Sequence, residues 1–141
     1  MAHERFHYRS LEEVKQRAAE LGADLPFAAD TAVLAQPLRV RGITFANRLG
    51  VAPMEGADST PEGAPSDYTL RRYTRQAIGG SAVLWFEAIS IVEEGRSSQT
   101  QLLLDRHTLD AFKRLTAAVK EAGFKANGYA PYLILQANHS G

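Results

Sequence analysis

The sequence contains no cysteine, so this chain can form no disulfide, offers no thiolate nucleophile and holds no iron–sulfur or cysteine-type zinc centre. That suits a reducing compartment, and the cytoplasm is the expected setting. Net charge is also missing: sixteen Lys and Arg balance sixteen Asp and Glu, and they are scattered. No electrostatic footprint for nucleic acid or an anionic bilayer results, and neither is expected as a partner. No apolar run reaches the ~20 residues of a membrane span, and the polar N-terminus MAHERFHYRS has no secretory core. Phosphate-cradling glycines are lacking too. No GKS or GKT occurs, and PMEGAD after the first expected strand lacks the spaced glycines of a dinucleotide fingerprint. What remains is a chain of 141 residues, 45% hydrophobic, with the composition of one globular domain or part of one.

SLEEVKQRAAELG opens with Ser10 and has Glu13 three residues on, the pattern of a capping box. Leu11, Val14, Ala18 and Leu21 form one stripe and Gly22 closes it, which predicts an amphipathic helix. LRVRGITF, Leu38 to Phe45, reads as two short strands about an Arg41–Gly42 turn. The strand RLGVAP follows, then the helix SDYTLRRYTRQAIGG, with Leu70, Tyr73 and Ala77 on one face and Gly79 and Gly80 at its end. AVLWFEAISI is apolar nearly throughout, as a strand covered on both faces of a parallel sheet would be. Then come a loop, a helix TLDAFKRLTAAVKEAG with Thr108 as N-cap and Gly123 just past its end, and a further apolar run, YLILQANH, expected as a buried strand.

From residue 48 the order is therefore strand, helix, strand, helix, strand, with crossovers of the length parallel pairing needs. This is α/β architecture, either a doubly wound sheet or a closed barrel. In both, ligands sit at the C-terminal ends of the strands, which singles out Pro53 to Glu55, Glu87 to Ser90 and Gln136 to His139.

PLRVRGITFANRLGVAPM, YTRQAIGGSAVLWFEAISIVEEGR, LTAAVKEAG and LILQANHSG, taken in order, resemble the opening third of the old yellow enzyme family of flavin-dependent NAD(P)H oxidoreductases. The resemblance covers roughly residues 36 to 141. It implies the N-terminal portion of a (β/α)8 barrel, about three of the eight βα units, preceded by a helix and a small β-hairpin that would plug the barrel floor. The domain expectation is accordingly an N-terminal extension over 1–35 and a partial FMN-binding barrel over 36–141.

The same resemblance implies FMN as cofactor and NAD(P)H as electron donor. Hydride would pass by way of FMN to the β-carbon of an activated alkene, a small-molecule substrate. It places Ala52, Pro53, Met54 and Glu55 against the flavin ring, with Ala88 as a small residue beside it and the Gln136 amide at the pyrimidine edge. Glu55 departs from the family pattern, in which a threonine or cysteine hydrogen-bonds the ring. An ionised carboxylate there would disfavour a reduced flavin anion unless it points away. The family's arginine after HSG, its substrate-gripping His or Asn pair and its phosphate-binding strands would lie past Gly141. No catalytic, substrate-binding or metal-binding residue is therefore assigned.

The remaining polar residues have plainer readings. His3, His7 and His107 lack metal-ligand company and are expected at the surface; Arg71, Arg72 and Arg75 follow a helix face and are expected to be solvated. Trp85 and Phe86 are expected in the core. Glu62, Glu93 and Glu94 have no catalytic partner, and His139 is placed at the barrel mouth. A barrel takes about 250 residues, so an N-terminal fragment, inactive alone, is expected. The alternative is a non-catalytic half-barrel that functions by assembling with another chain, either as a homo-oligomer or with a missing C-terminal half.

Overall fold

The computed structural model describes residues 5–28 and 30–140; His3 lies outside them. The chain divides into two compact units, residues 1–31 and 32–141.

The first unit contains helix α1, Leu11–Glu20. Ser10 caps it, its hydroxyl accepting the Glu13 amide at 3.2 Å, while the Glu13 carboxylate reaches back to the Arg9 amide at 2.9 Å. The reciprocal half of the capping box thus falls one residue earlier than its usual target. Of the predicted stripe, Ala18 is buried, whereas Leu11 and Leu21 are exposed.

The second unit begins with a short 3-10 turn, Ala32–Ala35, and an antiparallel hairpin of β1, Leu38–Val40, and β2, Ile43–Phe45. Both turn residues have positive φ, 46° at Arg41 and 86° at Gly42. That is the backbone a two-residue hairpin requires, and glycine takes it without the penalty a side chain incurs.

Three parallel strands follow, in the order β3 (Gly50–Val51), β4 (Val83–Ser90) and β5 (Tyr132–Asn138). Helices α2, Asp67–Ile78, and α3, Leu109–Asn127, connect them. The architecture is α/β and resembles part of a βα barrel. Ser66 caps α2 through a full capping box with Thr69. The α2 face buries Thr69, Tyr73 and Ala77, so Leu70 is displaced from the expected stripe and stays exposed.

Thr108 takes the N-cap position of α3 as expected, but its hydroxyl makes no capping bond; it donates to Leu103 O, and the Asp105 carboxylate accepts the Thr108 and His107 amides. One expectation for α3 is corrected. Gly123 does not end the helix, which continues to Asn127 and closes on Gly128 at φ 79°. Gly123 is there for contact: a Cβ on it would stand 2.6 Å from Pro131 Cδ and 3.5 Å from the Ala77 methyl.

The core lies between the helices and one face of the sheet. Tyr73 and Ala77 of α2, Leu84, Phe86 and Ile89 of β4, and Phe112, Leu115 and Val119 of α3 meet there with Leu102. Burying one of its large apolar side chains stabilises the fold by roughly 1.5–3 kcal/mol, so the unit's cohesion is concentrated on this face. The other face is bare only where Trp85, Tyr132 and Ile134 stand exposed; Ala88 and Ser90 further along it are buried. The register pairs Val83 with Tyr132, Trp85 with Ile134, Ala88 with Gln136 and Ser90 with Asn138, and alternation turns these pairs away from the helices. Trp85 is 44% exposed, which corrects its placement in the core; Phe86 is buried as expected. β5 is likewise not a buried strand, because among the described residues it pairs only with β4, and Tyr132, Ile134 and Leu135 are exposed.

Candidate functional site

Because β3, β4 and β5 run parallel, their C-terminal ends share one edge of the sheet. The hairpin marks the opposite edge, since the Phe45 ring packs 4.9 Å from Tyr132 at the start of β5. Asn47 fixes where β3 starts. Its amide donates to Gly80 O at 2.7 Å and Tyr129 Oη at 2.8 Å, and its Oδ1 accepts the amides of Leu49 and Ala82 at 3.0 and 3.1 Å. Four bonds from one side chain thus align the start of β3 with the turn that feeds β4.

At the shared edge, Ala88 and Gln136 are register partners. They follow an irregularity between Trp85 and Ala88, where β4 spends one residue more than β5. Such a bulge re-aims the side chains beyond it. Ala88 is buried, and the Gln136 Oε1 is buried with no hydrogen-bond partner among the described residues. Ala52, Pro53, Met54 and Glu55 leave the end of β3 and are all exposed. The Glu55 side chain has no ion-pair partner among the described residues. His139, also exposed, lies beside Gly95 in the loop after β4: a Cβ on Gly95 would approach its ring to 3.1 Å.

Beneath the β3–α2 loop lies a buried charge cluster that the sequence reading missed. The Glu87 carboxylate, 1% exposed, accepts Arg72 Nη2 at 2.5 Å and Tyr73 Oη at 3.2 Å on Oε1, and the Gly56 amide at 3.0 Å on Oε2. Arg72 also grips Asp58 through Nε and Nη2, at 3.1 and 2.9 Å, and its guanidinium lies 4.6 Å from the Tyr73 ring centre. Arg72 is therefore not a solvated surface cation. Burial alone would pull the guanidinium pKa down, but the hydrogen bonds to Asp58 and Glu87 and the Glu87 charge more than offset it and hold it raised. Burial pushes the Tyr73 hydroxyl up to about 12; the Glu87 amide bond opposes this shift and the Glu87 charge adds to it. The available signal was a buried glutamate in an otherwise apolar strand, which needs a cation nearby.

The antiparallel hairpin followed by parallel strands alternating with helices agrees with the expected order of elements. The chain resembles an old yellow enzyme. In structure it is similar to the old yellow enzyme homologue NCR from Zymomonas mobilis, with a TM-score of 0.63 and 23% identity over 75% of this chain and 28% of that one. It is also similar to morphinone reductase in complex with tetrahydroNAD, with a TM-score of 0.64 and 21% identity over 77% of this chain and 27% of that one. At these identities the likeness is one of fold. In sequence it is 30% identical over 96 residues to an NADPH dehydrogenase of Geobacillus sp. (strain WCH70), covering 66% of this chain and 28% of that protein. A 4,4'-dithiodibutanoate disulfide reductase of Rhodococcus erythropolis is 31% identical over 111 residues, 78% of this chain and 27% of that protein. No family model matches the chain. The old yellow enzyme likeness thus extends over most of this chain, while the chain spans under a third of the curated relatives it matches, 28% and 27% of their lengths. No helix among the described residues is long and apolar enough to cross a membrane.

Proposed function

We propose that this chain carries the flavin-bearing strand ends of an FMN-dependent NAD(P)H oxidoreductase of the old yellow enzyme type, as the N-terminal portion of its barrel. The observation that carries this reading is the register pairing of Ala88 with Gln136, whose Oε1 is buried without a partner among the described residues, at the same edge of the sheet that the exposed run Ala52–Glu55 leaves from. A buried amide oxygen without a donor costs about 1–3 kcal/mol, and a ring with N–H groups on its edge would satisfy it.

The residues fit a planar, polar-edged group. Gln136 offers one acceptor and two donors to such an edge. The small Ala88 adds little bulk at that edge, and Ala52 to Glu55 would lay main chain under the ring. FMN, when bound, would supply hydride chemistry between NAD(P)H and an activated alkene. This chain's part is to bind and orient the ring and to tune it through the dipoles and charges at its rim. Neither a proton donor nor a substrate-gripping residue is assigned to it.

A second reading, a non-catalytic half-barrel that assembles with another chain, is favoured by one observation. Trp85, Tyr132 and Ile134 stand exposed on the bare face of the sheet. One experiment separates the two: titrate the 141-residue chain into FMN, following flavin fluorescence and visible absorbance, and add NADPH or NADH without oxygen. Stoichiometric binding with bleaching supports the enzyme reading. A chain that ignores FMN and sediments as a defined oligomer supports the module.

A further inference from the structure

Residues 52–57 are exposed throughout, so no buried side chain anchors the segment. Backbone groups hold it instead, and their ties converge on one ion pair, the buried Glu87 and the part-buried Arg72. The Gly56 amide donates to Glu87 Oε2 at 3.0 Å, and the Met54 carbonyl accepts Arg72 Nη1 at 3.5 Å. Asp58, at the far end of the segment, takes two bonds from the same guanidinium and a third from the Thr69 hydroxyl at 2.7 Å. Approach is close enough that a Cβ on Gly56 would stand 2.2 Å from Arg72 Nη2.

A buried ion pair is weak ground for stability, because desolvating both partners offsets much of their attraction, and apolar residues of similar volume often serve as well. What apolar residues cannot do is direct a hydrogen bond. Glu87 divides its two oxygens accordingly: Oε1 takes Arg72 and Tyr73, which belong to α2, and Oε2 takes the loop amide. We propose that Glu87 and Arg72 form a positioning device that sets the course of the Ala52–Gly56 backbone by pinning the Met54 carbonyl and the Gly56 amide to β4 and α2. The pinning stands on the geometry alone; that the pinned backbone serves a flavin ring rests on the proposed function.

The test is a double variant, Arg72→Met with Glu87→Met, which removes both charges together and fills their space. Amide hydrogen exchange of the whole chain is the first readout, and FMN fluorescence titration is the second. The expected result is a thermal midpoint lowered modestly, since Asp58 and the Tyr73 hydroxyl also lose partners, with exchange at Gly56 and its neighbours accelerated about tenfold or more and protection in α2 and β4 retained. FMN affinity should fall by a similar factor. Unchanged exchange at Gly56, or loosening spread evenly over α2 and β4, would overturn the proposal. Should the double variant fail to fold, Gly56→Ala reads the same device, since its methyl displaces the guanidinium without deleting a charge. Loop exchange must then rise, and its constancy counts against the proposal. A parent chain that ignores FMN defeats the flavin reading while the exchange result still decides the positioning. A double variant with a freed loop and parental FMN affinity defeats the ring-holding step alone.

Discussion

Gln136 stands directly across from Ala88 at the C-terminal edge of the sheet, its Oε1 buried and without a partner among the described residues. An acceptor in that state is a stability liability and a binding asset. Gln136→Leu should therefore leave the unliganded chain as stable as the parent, or more stable by about 1 kcal/mol, since the replacement asks for no hydrogen bond. It should weaken FMN binding about tenfold. Denaturant unfolding gives the first quantity and fluorescence titration the second. A variant that loses stability and keeps FMN affinity would remove Gln136 from the site.

Tyr73 should give the chain a specific alkaline sensitivity. Its hydroxyl pKa is raised from 10.0 to about 12 in the folded chain. The folded state therefore holds this proton more tightly than the unfolded one. The resulting stabilisation is fully present below about pH 10 and is lost as pH rises towards 12. Tyr73→Phe deletes the acceptor of the Glu87 amide and a donor to its carboxylate, a loss of about 1–2 kcal/mol at pH 7. Between pH 10 and 12 the gap between parent and variant should narrow in urea unfolding. A gap independent of pH would mean that Tyr73 ionises as freely folded as unfolded.

Gly123→Ala is normally a favourable change inside a helix. Here the added methyl would meet Pro131 Cδ at 2.6 Å, and the ring cannot yield without moving the start of β5. The variant should be destabilised by about 1–3 kcal/mol, measured by chemical denaturation. Ala126→Gly, on the same helix but exposed, should lose only the intrinsic ~1 kcal/mol.

Gly123 also shows where the sequence runs short. Strand and helix alternation and the Arg41–Gly42 hairpin were legible because periodicity and turn chemistry are local. The strand-end positions Ala88 and Gln136 followed from the parallel order joined to the family resemblance. Gly123 looked like a helix stop, because a glycine packed against a proline eight positions on has no local signature. Arg72 looked like its neighbours Arg71 and Arg75, because only the tertiary fold shows that one of the three meets Glu87. Trp85 sat in a run of apolar residues that reads as core, yet the register with β5 sends it to the bare face.

Asn47 is the residue whose loss should most directly misalign the strand ends. All four of its hydrogen bonds go to groups that β3, the α2–β4 turn and Tyr129 contribute separately. Asn47→Ala removes one of two hydrogen bonds at both the Gly80 carbonyl, which keeps the Tyr129 hydroxyl, and the Ala82 amide, which keeps the Leu49 carbonyl, and should cost about 1–2 kcal/mol. Asn47→Asp tests the directionality. Aspartate can still accept from Leu49 and Ala82, but at neutral pH it sets a second oxygen against the Gly80 carbonyl, where the asparagine donated. It should be no more stable than the alanine variant at pH 7, and should regain part of the difference below about pH 4, where a protonated carboxyl can donate again. Unfolding midpoints of both variants across that range measure the effect; an aspartate variant equal to the parent at pH 7 would show that the donor side of Asn47 does not align the strands.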